Sequence, residues 1–230
     1  METVRSVFDH PVPHLLMIPD FGKSRSQFLE KTACLNADEL AVQGWNVVLF
    51  DPAGRGDSWG NEDWGGEEHQ TEVAQIIDSL SGPVGIYTEG AGLNTALGGA
   101  QRSKKAVDFI IDYEGIADPD LILRLPIRPD ISADSPFWND RNGHQHLKDP
   151  PCLYHRFQSE IDHNLPDDLR HARRIMRTLS QSKGTLFRLN HHRIGEIPDR
   201  PRWIAAGPIS ARRNLLEALD IYRKDLSSKL

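Results

Sequence analysis

The sequence predicts an α/β fold: a mostly parallel sheet of about six strands, helices on both faces, and a short insertion near one end. Three observations predict it. Apolar runs alternate with amphipathic stretches from His14 to the C-terminus. The runs are continuously apolar, the pattern of strands covered on both faces. The run Val84 to Tyr87 meets a tight glycine-containing turn and then a small-residue helix from Ala91 to about Ala100.

The elements follow in order. Residues 1–13, punctuated by Pro11 and Pro13, have room for one short edge strand. His14 to Ile18 is a buried strand that ends at the turn Pro19-Asp20-Phe21-Gly22, and Ser24 to Gln43 reads as a helix with a break near Asn36. Trp45 to Phe50 is the next strand, followed by a long loop, Asp51 to Gly60. A helix begins near Glu67, with Val73, Ile76, Ile77 and Leu80 at the spacing of one apolar face. After the Val84 strand and its helix, Ala106 to Ile111 is a strand running into Asp112-Tyr113-Glu114-Gly115. Residues 118–150 read as an irregular insertion that partly covers one end of the sheet. Cys152 to Gln158 returns to a strand, Pro166 opens a helix, and Thr185 to Leu189 is the last strand. Ser210 is the expected N-cap of a final helix that buries Leu215, Leu219, Tyr222 and Leu226.

At 230 residues, with no linker, repeat or low-complexity tract, the chain reads as a single domain over 1–230. A formal charge of −6 argues against nucleic acid as a partner, and no apolar run reaches the length of a membrane span. The first residues lack an apolar signal-peptide core. Cys34 and Cys152, far apart and without metal-ligand spacing, read as reduced thiols, so a cytoplasmic location is the expectation. No metal or other cofactor is expected; Gly54-Arg55-Gly56 lacks the strand and helix context of a nucleotide-binding turn.

The stretch Tyr87-Thr88-Glu89-Gly90-Ala91-Gly92 has the layout of a nucleophile elbow, in which small residues stand two before and two after the exposed position. Only one register fits. Around position 90 the flanks are Thr88 and Gly92; around Glu89 or Thr88 they include Tyr87 or Ile86, which are too large. The nucleophile position is therefore Gly90, which has no side chain.

Strand ends elsewhere carry further polar residues: Asp162 in Ser159-Glu160-Ile161-Asp162-His163, and His191 with His192 after the last strand. The order nucleophile, acid, histidine over His14 to about His192 resembles the α/β-hydrolases. "GWNVVLFDPAGRGDSWG" resembles the strand and loop before their elbow, and "HRFQSEIDHNLPDDLRHA" their acid-bearing turn. The pieces "GRGDSWG", "DYEG" and "QSE.DH" are similar to an uncharacterised serine esterase/peptidase-like branch. The resemblance implies Asp162 as the acid, His191 or His192 as the base, and the backbone N–H groups of Phe21 and Ala91 as oxyanion donors. Two positions depart from it. Gly90 replaces the nucleophile, and Pro19-Asp20 stands where relatives often have His-Gly. Asp20 either points its charge into the oxyanion hole or turns away to cap the next helix through Ser24 and Arg25. Glu114 is a reserve acid, and Glu89 either faces the site or lies at the helix start.

Three functions stay open. The first is a hydrolase-derived protein with weak or no ester hydrolysis, binding a small ester or acyl ligand. The second is an enzyme using an Asp162–histidine dyad and water with no covalent intermediate. The third is a serine hydrolase carrying a substitution at Gly90. An exposed sheet edge at the short N-terminal part is a candidate homodimer contact.

Overall fold

The computed structural model describes residues 1–7, 11–181, 187–190 and 207–230. Among them, seven strands form one sheet in the order β1-β3-β2-β4-β5-β6-β7. They are β1 (Glu2–Val4), β2 (His14–Ile18), β3 (Asn46–Leu49), β4 (Val84–Glu89), β5 (Phe109–Tyr113), β6 (Leu153–Phe157) and β7 (Phe187–Leu189). β2 to β7 run parallel; β1 is the short edge strand, antiparallel to β3 with Thr3 opposite Val48.

Continuous apolar runs make this sheet because it is covered on both sides. Along β2, Leu16 and Ile18 face one core while Leu15 and Met17 face the other. The first core takes Val73 and Ile77 of α2 (Glu67–Ser79), Leu93 and Leu97 of α3 (Gly92–Arg102), and Ala172, Ile175 and Leu179 of α6 (Arg170–Ser180). The second takes Leu40 of α1 (Ala37–Val42) and Leu215, Leu219, Tyr222 and Leu226 of α7 (Pro208–Ser227). The apolar faces read from the spacing in α2 and α7 are those that are buried.

The boundaries differ from expectation in three places. The stretch expected as a helix from Ser24 is a 3₁₀ turn, Arg25–Phe28, then loop. The break near Asn36 is a true helix start, because the Asn36 side chain accepts from the Asp38 and Glu39 amides. Pro166 does not open a helix. Asp162 takes the amides of Asn164 and Leu165, which makes a turn of that stretch, and Asp168 takes the Arg170 amide where α6 begins. Ser210 lies inside α7; Pro208 fills its first turn, where proline lacks only an N–H that would be unpaired anyway.

The insertion is less irregular than its prolines indicate. It holds α4 (Pro119–Ile122), a 3₁₀ turn at Pro136–Trp138, and α5 (Gly143–Leu147). Leu121, Ile122, Leu125 and Trp138 form a small third core with Phe21, Ala91 and Leu165. Arg141 fastens it to the rest, donating to the carbonyls of Asp63 at 3.0 Å and Phe137 at 2.8 Å. None of the described helices is long and apolar enough to cross a membrane.

Candidate functional site

β4 is central in the sheet, and at its C-terminal end the chain turns abruptly into α3. Gly90 sits at the turn with φ +52°, the left-handed region that a side chain with Cβ enters at a cost. Its amide donates to Tyr113 O at 3.2 Å and its carbonyl accepts from Ile116 at 2.9 Å, tying the turn to the end of β5. The small residue at position 92 is required by contact: a Cβ there would lie 2.6 Å from Pro19 O and 2.8 Å from Thr88 Oγ1. The strand therefore turns tightly into α3 with small residues at positions 90 and 92.

Asp20 occupies the space in front of it. Its Oδ1 accepts from the Phe21 amide and from the Ala91 amide, each at 2.7 Å, and its Oδ2 accepts from Asn164 Nδ2 at 2.8 Å. The two amides expected as oxyanion donors thus converge on one oxygen of a carboxylate that is 7% exposed. Asp20 does not turn away to cap the next helix, because its own backbone is held from both sides. Its amide donates to Gln27 Oε1 at 3.1 Å and its carbonyl accepts from Arg55 Nη1 at 2.9 Å. Arg55, paired with Glu62, is the buried centre of the loop after β3. Arg25 pairs with Asp51 and Asp57 instead. A Cβ at Gly90 would lie 2.5 Å from both Asp20 Cγ and Asn164 Nδ2, so the site has no room for a side chain there.

Asp162 lies at the end of the loop after β6, fully buried. Its Oδ1 accepts from the Asn164 and Leu165 amides, both at 2.9 Å, and its Oδ2 accepts from Gln158 Nε2 at 3.0 Å. His171 Nε2 of α6 is 3.1 Å from that Oδ2, an electrostatic contact rather than a well-aligned hydrogen bond. Burial opposes the charge of Asp162, but His171 and Gln158 outweigh it and hold the carboxyl well below the usual range. Three of the roughly four acceptor positions of a carboxylate are thus taken by hydrogen bonds, and His171 stands at the remaining side. His191 and His192 lie outside the described residues.

Glu114, the reserve acid, does hold a histidine. It follows β5 with φ +54°, an uncommon backbone for glutamate. Its Oε2 accepts from both the amide (2.9 Å) and Nδ1 (2.7 Å) of His163, and its Oε1 accepts from the amide and hydroxyl of Ser159. The imidazole stacks on Tyr113 with ring centroids 5.6 Å apart, and Nε2 lies 3.0 Å from Asn164 Nδ2. Burial works against its charge, yet the bond to Glu114 and the charges of Glu89 and Asp20 push its pKa up to about 9. Glu89 itself faces inward, 7% exposed, accepting from Tyr87 Oη at 2.5 Å and from Gln27 Nε2. Burial raises its pKa, against the pull of His163 and Tyr87.

Glu114, Asp162 and His163 present ligand atoms within 4.8 Å of one another. A metal would have to displace bonds already made there, because the carboxylate oxygens of this group accept from protein donors and His163 Nδ1 serves Glu114. Cys34 and Cys152 are free, and burial pushes each thiol up to about 12, out of the range of nucleophilic catalysis.

No protein-family model matches the sequence, and no curated protein does. Solved structures do match. A puromycin-hydrolyzing peptidase from Mycobacterium tuberculosis is similar at a TM-score of 0.62 and 15% identity over 95% of this chain, which spans 35% of that protein. A monoacylglycerol lipase from Paleococcus ferrophilus is similar at 0.58 and 16% identity, over 96% of this chain and 99% of the lipase. Est1E from Butyrivibrio proteoclasticus, solved with ferulic acid, is similar at 0.64 and 10% identity, over 99% of this chain and 94% of Est1E.

The chain has the α/β-hydrolase fold. Within that fold, Gly90, Ala91, Phe21 and Asp20 come together at the turn after β4, and Glu89 lies beside them in a neighbouring cleft. Three residues that the motif order passed over complete the surroundings: His163, Asn164 and Gln27. The signal for the first was available. Glu114 and His163 follow β5 and β6, which are neighbours in the sheet, so their loops meet.

Proposed function

We propose that this chain is a hydrolase-derived binding protein that performs no acyl transfer. One observation carries the reading: the Asp20 carboxylate accepts from both Phe21 N–H and Ala91 N–H. In serine-type hydrolysis such amides stabilise the negative oxygen that develops on the substrate carbonyl, and loss of one donor costs roughly a hundred- to a thousandfold in rate. Here a fixed negative charge fills the position, and Gly90 supplies no nucleophile. An ester or acyl group entering the elbow meets neither an attacking atom nor a free donor.

The test is hydrolysis of p-nitrophenyl acetate together with fluorophosphonate labelling. The unchanged chain and Gly90→Ser are expected to be inert in both. The triple variant Gly90→Ser, Asp20→Gly, Asn164→Ala clears the elbow, and labelling there identifies an assembled hole with a competent histidine. Ester turnover by the unchanged chain overturns the proposal.

A second reading has its own observation, the carboxylate-held imidazole of His163. Glu114 holds Nδ1 and Nε2 lies against Asn164; with its pKa pushed up to about 9, the imidazole would serve as a base toward water, without a covalent intermediate, only as pH rises through that value. That reading requires turnover that disappears in His163→Gln. A dyad of Asp162 with His191 or His192 instead requires loss in Asp162→Asn with His163→Gln unaffected.

A further inference from the structure

Beside the elbow, on the Glu89 side, lies a cleft of about 560 Å³. That is the size of a small-molecule site. Its inner end is lined by Gln27, Glu89, Tyr113 and His163, and its outer wall includes Ala33 and Ile209. Resting on the reading that the chain binds without acyl transfer, we propose that this cleft takes a small primary amine with an apolar body, its ammonium held by the Glu89 carboxylate.

The argument starts from the unmet needs of Glu89. The carboxylate is nearly buried, yet its direct partners are one donor per oxygen, Tyr87 Oη on Oε1 and Gln27 Nε2 on Oε2. Each oxygen keeps an acceptor position, and the cleft is the side from which a ligand reaches it. A buried carboxylate without a full cation partner is costly, and an ammonium relieves that cost directly. The wider field agrees. Glu89 lines the inner end, and Glu114 and Asp20 act with it on His163, three carboxylates against one imidazole.

The other charges at the cleft do not reverse it. Arg212 donates to Cys34 O at 2.7 Å and to Glu39 at 3.1 Å, so its guanidinium is engaged outside the inner end. Lys31 at the mouth stands next to Glu30. An anion would meet His163 only at Nε2, beside Asn164 Nδ2, and would face Asp20 and Glu89. Ala33 and Ile209 offer the ligand's other end an apolar wall.

Three probes of one shape separate the possibilities: phenethylamine, 2-phenylethanol and phenylacetate, each followed by amide chemical-shift titration. The amine is expected to shift the amides of Glu89, Tyr113 and His163; the alcohol and the acid are not. Glu89→Gln, which still accepts from Gln27 and can donate to the Tyr87 hydroxyl, should weaken the amine roughly ten- to a hundredfold. Ala33→Trp, which blocks the outer wall and leaves Glu89 intact, should abolish binding without disturbing the core. Absence of shifts with the amine overturns the proposal. So does preference for phenylacetate, or equal amine binding by Glu89→Gln. Ester turnover measured on the same samples reads the failure of the binding-protein reading separately, since amine binding needs no hydrolysis and hydrolysis needs no amine.

Discussion

At Gly90, two constraints meet in one residue. Its φ of +52° favours glycine, and Asp20 and Asn164 fill the volume that a Cβ would need. Gly90→Ser is therefore expected to destabilise the fold by about 1–3 kcal/mol, through overpacking and left-handed strain. A urea-unfolding cycle checks the cause. In an Asp20→Gly background the same serine should cost distinctly less, because one of the two obstructing side chains is gone. An equal cost in both backgrounds would place the penalty in the backbone or against Asn164 rather than against Asp20. The tight turn after β4 was legible in the sequence, because small residues flank position 90. The direction of Asp20 was not. It depends on Gln27 and Arg55 holding its backbone, contacts that span 7 and 35 positions along the chain.

At the level of elements, β5 and β6 are joined by charge as well as by their ladder. Arg156 and Asp112, opposite each other in register, are both fully buried and paired, and Tyr154 donates to the same carboxylate. Arg156 also reaches Gly115 O at 3.1 Å and Gln158 Oε1 at 2.5 Å, which ties the pair to the loops that carry Glu114 and Asp162. Removing one member leaves the other charged and dry. Arg156→Leu is expected to cost about 3–5 kcal/mol in chemical denaturation, and Arg156→Leu with Asp112→Leu to regain part of it. Failure of the double variant to regain any would mean that Arg156 matters through Gly115 and Gln158. The strands themselves were legible as apolar runs. This polar seam was not, because the pairing of Arg156 with Asp112 depends on which strands are neighbours in the sheet. Likewise Pro166 reads as a helix start until Asp162 is seen to take the two amides before it.

For the molecule as a whole, the buried titratable groups set a window of pH. His163 has a folded pKa of about 9 against an ordinary 6.5, so its stabilisation is complete below 6.5 and is lost as pH rises through about 9. Glu89, raised from 4.5, erodes stability in the same direction, beginning at lower pH. Asp162, lowered from 3.8, contributes above that value and is lost as pH falls further. Urea midpoints should accordingly be highest near about pH 5 and decline toward pH 9. Glu114→Gln should lower the His163 pKa, read by imidazole NMR, and flatten the decline above 6.5. An unchanged His163 titration in that variant would remove Glu114 as its cause.

The crowding at position 90 also bears on descent. A chain in this state has no single-step route to a serine hydrolase. Serine alone at 90 brings strain and leaves the Ala91 and Phe21 amides taken by Asp20; retreat of Asp20 alone strips a buried clasp and adds no nucleophile. Only the two together would set a hydroxyl beside two open amides. Packing of this kind works as a latch: while Asp20 is seated on those amides, a serine at position 90 gains nothing by itself.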